Sequence, residues 1–216
     1  MRPIERLGQA RTRSGQLVLE RRGADYAIAL DGRIVMSSRS PSSECDLAVR
    51  VCERAARSAR PSVVIAGLGM GYSARAALDV LPPNATITVV ELVPEVVDWC
   101  RGPLSALTGN VLGDARVTVV VGDVFDVLRS GKARWSGVAL DLWQGPFERK
   151  DPVFTPAALR VCREALEPGG RLGVWSEQSV AGFEERLRGA GFVSPEKRVA
   201  RRGFRHVVYF GDAPAT

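Results

Sequence analysis

Ser62-Val-Val-Ile-Ala-Gly67-Leu-Gly69-Met-Gly71-Tyr-Ser73, followed by Thr86-Ile-Thr-Val-Val-Glu91-Leu92, decides how this chain folds. Val63 to Ala66 is an apolar run of buried-strand length. Gly67-x-Gly69-x-Gly71 lets the backbone turn tightly and approach a ligand, and the helix-like stretch Ser73 to Val80 places a helix N-terminus beside it. A second strand, Thr86 to Val90, ends on Glu91, where a carboxylate can accept hydrogen bonds from both hydroxyls of an adenosine ribose. Glycine runs alone are ordinary turns. Strand, glycines, helix, strand and acid in this order predict a crevice for a nucleoside-type ligand.

Working outward, the pattern continues as strand and helix in alternation: Pro94–Leu107, Val117–Gly122, Val124–Arg129, Gly137–Leu142, Thr155–Leu166, Arg171–Ser176 and Gly182–Gly189. Such alternation predicts an α/β fold, a mostly parallel sheet covered by helices on both faces. The last segments, Phe192-Val193 and Phe204–Phe210, are joined by a polar, Arg-rich connection and predict an antiparallel hairpin at the sheet edge. Toward the N-terminus, residues 16–38 alternate with period two around an Asp31-Gly32 turn, which predicts a small antiparallel β unit. Glu44 to Ala59 then carries Leu47, Val51 and Ala55 at helical spacing. One main domain is expected, with residues 1–60 as the β unit and connecting helix and 61–216 as the Rossmann-like part.

The 216 residues are 45% hydrophobic, enough for one substantial core, with no apolar run of membrane-spanning or signal-peptide length. A soluble, cytoplasmic protein is expected. Cys45, Cys52, Cys100 and Cys162 form no C-x-x-C pair and His206 is the only histidine, so neither a metal site nor a disulfide framework is suggested. The same scarcity disfavours hydrolase triads, which would have to rest on His206 inside an apolar strand pattern. The net charge of +6 is spread over Arg2–Arg22, Arg50–Arg60 and Arg186–Arg205 without interleaved aromatics, so nucleic acid is not the expected partner.

Asp31-Gly32-Arg-Ile34, Ala66-Gly-Leu-Gly-Met-Gly71, Glu91-Leu-Val-Pro-Glu-Val-Val-Asp-Trp-Cys100, Gly122-Asp-Val-Phe125 and Leu140-Asp-Leu-Trp-Gln-Gly-Pro146 together resemble the class I S-adenosylmethionine-dependent transferases. The N-terminal β unit makes the likeness closer to their spermidine synthase-like branch, over roughly residues 16–210. The resemblance implies that Gly67, Gly69 and Gly71 line the methionine moiety and ribose of S-adenosylmethionine or its decarboxylated form. It also implies that Glu91 holds the ribose hydroxyls and that Asp123 with the Val124 backbone meets the adenine edge. Leu68 and Leu92 complete this cofactor set. Asp123 has an alternative role as the N-cap of the following helix, and Glu91 as a plain surface acid. Asp141, at the end of the strand Val138–Asp141, matches the branch's proposed base; otherwise it is a satisfied structural acid. Tyr72, Trp143 and Gln144 are expected to flank the same opening on the substrate side, with Trp143 also readable as a lid or core residue.

Three departures bear on the group transferred. Met70 stands where spermidine synthases carry an acid that grips the donor's amine. No second acid follows Asp141 closely in Asp141-Leu-Trp-Gln-Gly-Pro146, and Ser42 replaces the tyrosine of the branch's Y-x-E pattern ahead of Glu44. A diamine is costly to bury unless carboxylates meet both charges. Without the loop acid, the carboxylate of intact S-adenosylmethionine is no longer repelled. The sequence therefore favours methyl transfer to a small-molecule acceptor. Aminopropyl transfer to a polyamine is the alternative, and an inactive adenosyl-ligand-binding or partner protein is the second alternative. A homodimer through the N-terminal β unit is expected, with the unit simply covering the crevice as the alternative.

Overall fold

The computed structural model describes residues 3–39, 42–142, 154–199 and 206–215. The N-terminal region forms four antiparallel strands paired in chain order: β1 (Glu5–Thr12), β2 (Gly15–Arg22), β3 (Asp25–Leu30) and β4 (Arg33–Ser37). Asp31 and Gly32 both have positive φ, 46° and 83°, as a tight two-residue hairpin requires. The expectation began this unit at residue 16 and missed β1. That strand is an edge strand with exposed Arg6, Gln9 and Arg11 on one side and a glycine among the inward positions, so its apolar alternation is thin.

Next come α1 (Ser42–Ala55), β5 (Ser62–Ala66), α2 (Tyr72–Val80), β6 (Thr86–Glu91), α3 (Pro94–Arg101), β7 (Val117–Val121) and α4 (Val124–Arg129). The chain continues through β8 (Trp135–Leu140), α5 (Pro156–Ala165), β9 (Leu166–Ser176), α6 (Phe183–Gly189), β10 (Val193–Val199) and β11 (Val207–Asp212). These seven strands form one sheet in the order β10-β11-β9-β8-β5-β6-β7, parallel except for β11 and β10. The α/β architecture with an antiparallel C-terminal hairpin is thus as expected.

Some boundaries differ. The helix expected over Pro94–Leu107 stops at Arg101, because Gly102 leaves helical geometry ahead of Pro103; a short 3₁₀ turn, Ser105–Thr108, follows. Helix α1 ends at Ala55 rather than Ala59. Strand β9 starts at Leu166, upstream of Arg171, and its pairing with β8 shifts register around the Pro168-Gly169-Gly170 stretch. Strand β10 runs on to Val199, although its polar Glu-Lys-Arg composition gave no strand signal.

The strand alternation sorts the core into two layers. Val63 and Ile65 of β5 pack with α1, α2 and α3 on one face, and Val64 and Ala66 pack with α4, α5 and α6 on the other. The first layer continues into Leu19 and Ile28, so the small sheet is sealed onto the large one by apolar contact. Helix α1 comes close to the large sheet because Gly137 and Gly173 present no side chain to Leu47 and Val51. Among the described residues no helix is long and apolar enough to cross a membrane.

Candidate functional site

From β5 the chain runs through β6 to β7 on one side of the sheet, then returns to β8 on the other. The C-terminal ends of β5 and β8 therefore bound a topological switch point, where α/β sheets place ligands. Gly67 follows β5 and Asp141 follows β8, and they touch. The Asp141 N–H donates to the Ala66 carbonyl (2.8 Å), and a Cβ on Gly67 would overlap the Asp141 carbonyl oxygen. Gly67, Gly69 and Gly71 have φ of 88°, 53° and 87°, so all three use backbone conformations that other residues rarely adopt. The loop folds beneath the small sheet: a Cβ on Gly69 would overlap the Met36 thioether of β4.

Glu91 is buried, and its two carboxylate oxygens accept hydrogen bonds from the N–H groups of Leu68 (2.8 Å) and Val93 (2.9 Å). The acid thus ties the glycine loop to the segment after β6, which a plain surface acid does not do. Each oxygen retains a further lone pair for a ligand hydroxyl. Leu92 and Val121, beside one another at the ends of neighbouring strands, are 69% and 53% exposed and form an apolar rim. Asp123 is exposed, and its side chain accepts the Phe125 N–H (2.8 Å), making it the N-cap of α4 as the alternative reading had it; Val124 behind it is buried. One Asp123 oxygen stays clear of that cap bond.

Asp141 is 7% exposed. Ser73, in the first turn of α2, donates its hydroxyl to Asp141 Oδ2 at 2.5 Å, and both side chains are buried. Burial, then the nearby Glu44 charge, pushes the Asp141 carboxyl up to about 7, while the Ser73 hydrogen bond acts in the opposite direction. Tyr72, half-buried, lines a small gap under the glycine loop with Leu68, Met70, Ser73 and Asp141. Met70 itself is buried. Trp143 and Gln144 lie outside the described residues.

A larger cavity of about 720 Å³ opens between β4 and the ends of β8 and β9. It shares Met36, Ser37, Glu44 and Asp141 with the small gap, and extends away from them to Arg33, Trp175, Glu177, Gln178, Ser179 and His206. Arg33 pairs with Glu177 at 2.5 Å across the cavity. The sequence reading did not single out Ser73, Arg33, Trp175 or Glu177. Glu177 carries the signal that identified Glu91 and Asp141, an acid just past a parallel strand, and could have been found by it. Among the described residues no cluster of His, Cys, Asp and Glu is suited to a metal ion.

Fold and site together define an α/β protein with a doubly covered sheet, a glycine loop at its switch point and a buried acid facing a cavity. The spermine/spermidine synthase domain matches residues 61–184, and the chain belongs to that family. A polyamine aminopropyltransferase of Corynebacterium efficiens is 30% identical over 166 residues, which are 76% of this chain and 31% of that protein. One from Prochlorococcus marinus is 27% identical over 124 residues, 57% of this chain and 42% of the relative. The chain thus spans less than half the length of either relative. Spermidine synthase from Thermotoga maritima has the same fold, with a TM-score of 0.78 at 16% identity, covering 98% of this chain and 74% of that one. A probable spermidine synthase from Corynebacterium glutamicum gives 0.69 at 20% identity, over 95% and 79%.

Proposed function

We propose that the protein transfers an aminopropyl group from decarboxylated S-adenosylmethionine to an amine. Membership of the spermine/spermidine synthase family and the names of the curated relatives support this over the methyl transfer that the sequence favoured. The observation that carries it is the buried Asp141, placed between the glycine loop and a cavity large enough for an acceptor. In the reaction, the acceptor nitrogen bonds to the propyl carbon on the sulfonium. The carbon–sulfur bond breaks with its electron pair going to sulfur, leaving methylthioadenosine, and the nitrogen's surplus proton passes to Asp141. A carboxylate whose pKa is about 7 accepts that proton more readily than an ordinary one. Most of the rate comes from aligning nitrogen, carbon and sulfur.

On the donor side, Glu91 is assigned to the ribose hydroxyls, the three glycines to the methionine-derived chain and ribose, and Leu92 and Asp123 to the adenine. Glu91→Gln is expected to weaken donor binding roughly 10- to 100-fold, because an amide offers one acceptor oxygen where the carboxylate serves both N–H groups and the ribose. Calorimetric titration reads this directly.

Met70, apolar and buried at the glycine loop, supports methyl transfer as the second reading, since no loop acid is there to meet a donor ammonium. Parallel calorimetry with intact and decarboxylated S-adenosylmethionine separates the two. Tighter binding of the decarboxylated form is expected; tighter binding of the intact form would replace the first reading by the second.

A further inference from the structure

Met70 leaves the glycine loop without an acid for a donor ammonium, but carboxylates reach the same space from elsewhere. Apart from apolar side chains, the gap under the loop presents the carboxylates of Glu44 and Asp141 and the hydroxyls of Ser37, Tyr72 and Ser73. Among the described residues no Lys or Arg lines it. Glu44 sits in the first turn of α1, a helix anchored by the fully buried Leu47, Ala48 and Val51. The Ser73 hydroxyl stands between the two acidic residues, 3.3 Å from the Glu44 carbonyl oxygen and 2.5 Å from Asp141 Oδ2. Asp141, Cys45 and Tyr72 are all pushed up from their ordinary values, by burial first and then by neighbouring charge that includes Glu44. The Glu44 carboxylate therefore lies among them, where the gap opens into the large cavity.

Resting on the aminopropyl-transfer reading, we infer that Glu44, reaching in from α1, receives the donor's terminal ammonium and thereby selects the decarboxylated donor. The two acids have separate work. Asp141 Oδ2 holds the Ser73 hydroxyl, and no donor among the described residues meets Oδ1, which leaves that oxygen for the acceptor's proton. Glu44 is half-buried beside it, on the wall shared by the gap and the large cavity. A short chain leaving a sulfonium held against the loop ends in this space. An ammonium group brings three N–H donors and no acceptor; Glu44 offers it a charge, and the Tyr72 and Ser37 hydroxyls offer further oxygens. A hydrogen bond to a charged group counts for more than a neutral one, the more so where water is partly excluded. The carboxylate of intact S-adenosylmethionine would instead face two groups of its own sign, with no cation among the described lining residues to offset them. The acid missing from the loop is thus supplied by a helix that the loop packs beneath.

The test is calorimetric titration of wild type and Glu44→Gln with decarboxylated S-adenosylmethionine, intact S-adenosylmethionine and methylthioadenosine, which keeps the adenosine and sulfur but lacks the ammonium tail. Glu44→Gln is expected to weaken the decarboxylated donor about 10- to 100-fold, the loss of one charged hydrogen bond, while methylthioadenosine stays within about twofold. The preference for the decarboxylated over the intact form should narrow in the same variant. Glu44→Asp keeps the charge but draws it back by one methylene, so it should lose several-fold on the decarboxylated donor alone, and it supplies the same comparison if the glutamine variant does not fold. An equal fall for methylthioadenosine and the decarboxylated donor would show that Glu44 only shapes the loop. That result, no change in either ligand, or an unmoved preference overturns the inference. Failure of the aminopropyl reading shows separately, in wild type, as tighter binding of the intact form.

Discussion

Asp141→Asn is expected to lower kcat by about 10²- to 10⁴-fold, the range for losing a positioned general base, with donor affinity unchanged. The side chain keeps its shape and can still accept the Ser73 hydroxyl, so the loss isolates proton transfer from architecture. The pH profile gives the second readout. A base must be deprotonated to act, and burial holds Asp141 at about 7, so kcat/KM should rise with pH and level off above that value. Ser73→Ala removes the hydrogen bond that favours the ionised form, and the acidic limb should move to higher pH. A limb unmoved in Ser73→Ala would show that the 2.5 Å contact is not coupled to the titrating group.

Stability should change in the opposite sense from activity. The folded-state pKa of Asp141 lies above its unfolded value, so between the two the native state binds the extra proton and stability falls as pH rises. Above pH 7 the folded protein carries a buried charge that the asparagine variant does not. Asp141→Asn should therefore be more stable than wild type at pH 8, by about 4 kcal/mol as an upper figure, and the gap should close toward pH 4. Thermal melts across that window measure it. A site that stores this much unfavourable burial on one carboxylate is the kind that retains it for chemistry.

What could be read from the sequence follows from how locally each feature is encoded. The glycine loop, Glu91 and Asp141 are legible because their identity and their place at strand ends are written within a few residues. Asp123 was ambiguous between ligand and cap because one carboxylate at a helix start can do both, and its geometry shows the cap bond. The Arg33–Glu177 pair joins residues 144 apart, and nothing near either of them announces the other. Strand β1 escaped notice because an edge strand needs few apolar residues. The helix that connects the two sheets was legible as a helix, but its seat against Gly137 and Gly173 depends on how the large sheet is assembled.

Gly67→Ala is expected to be the most damaging single methyl group in the molecule. Two costs coincide there. The residue has φ of 88°, a conformation that charges a side chain about 1–3 kcal/mol, and the added Cβ overlaps the backbone carbonyl of Asp141. A backbone oxygen cannot swing aside as the Met36 thioether can at Gly69, so relief has to come from moving the end of β5 away from the end of β8. Overpacking of that kind costs a further 1–3 kcal/mol or so, and together the melting temperature should fall by roughly 10 °C for a chain of this size. The same movement pulls the Leu68 N–H off Glu91 and shifts Asp141, so donor affinity and kcat should fall together, each by about 100-fold or more. Gly32→Ala supplies the control: φ there is 83°, but nothing lies within 4 Å of the new Cβ, so it pays the conformational cost alone. If the two variants melted at the same temperature, the contact between the glycine loop and Asp141 would not be what holds the crevice in shape.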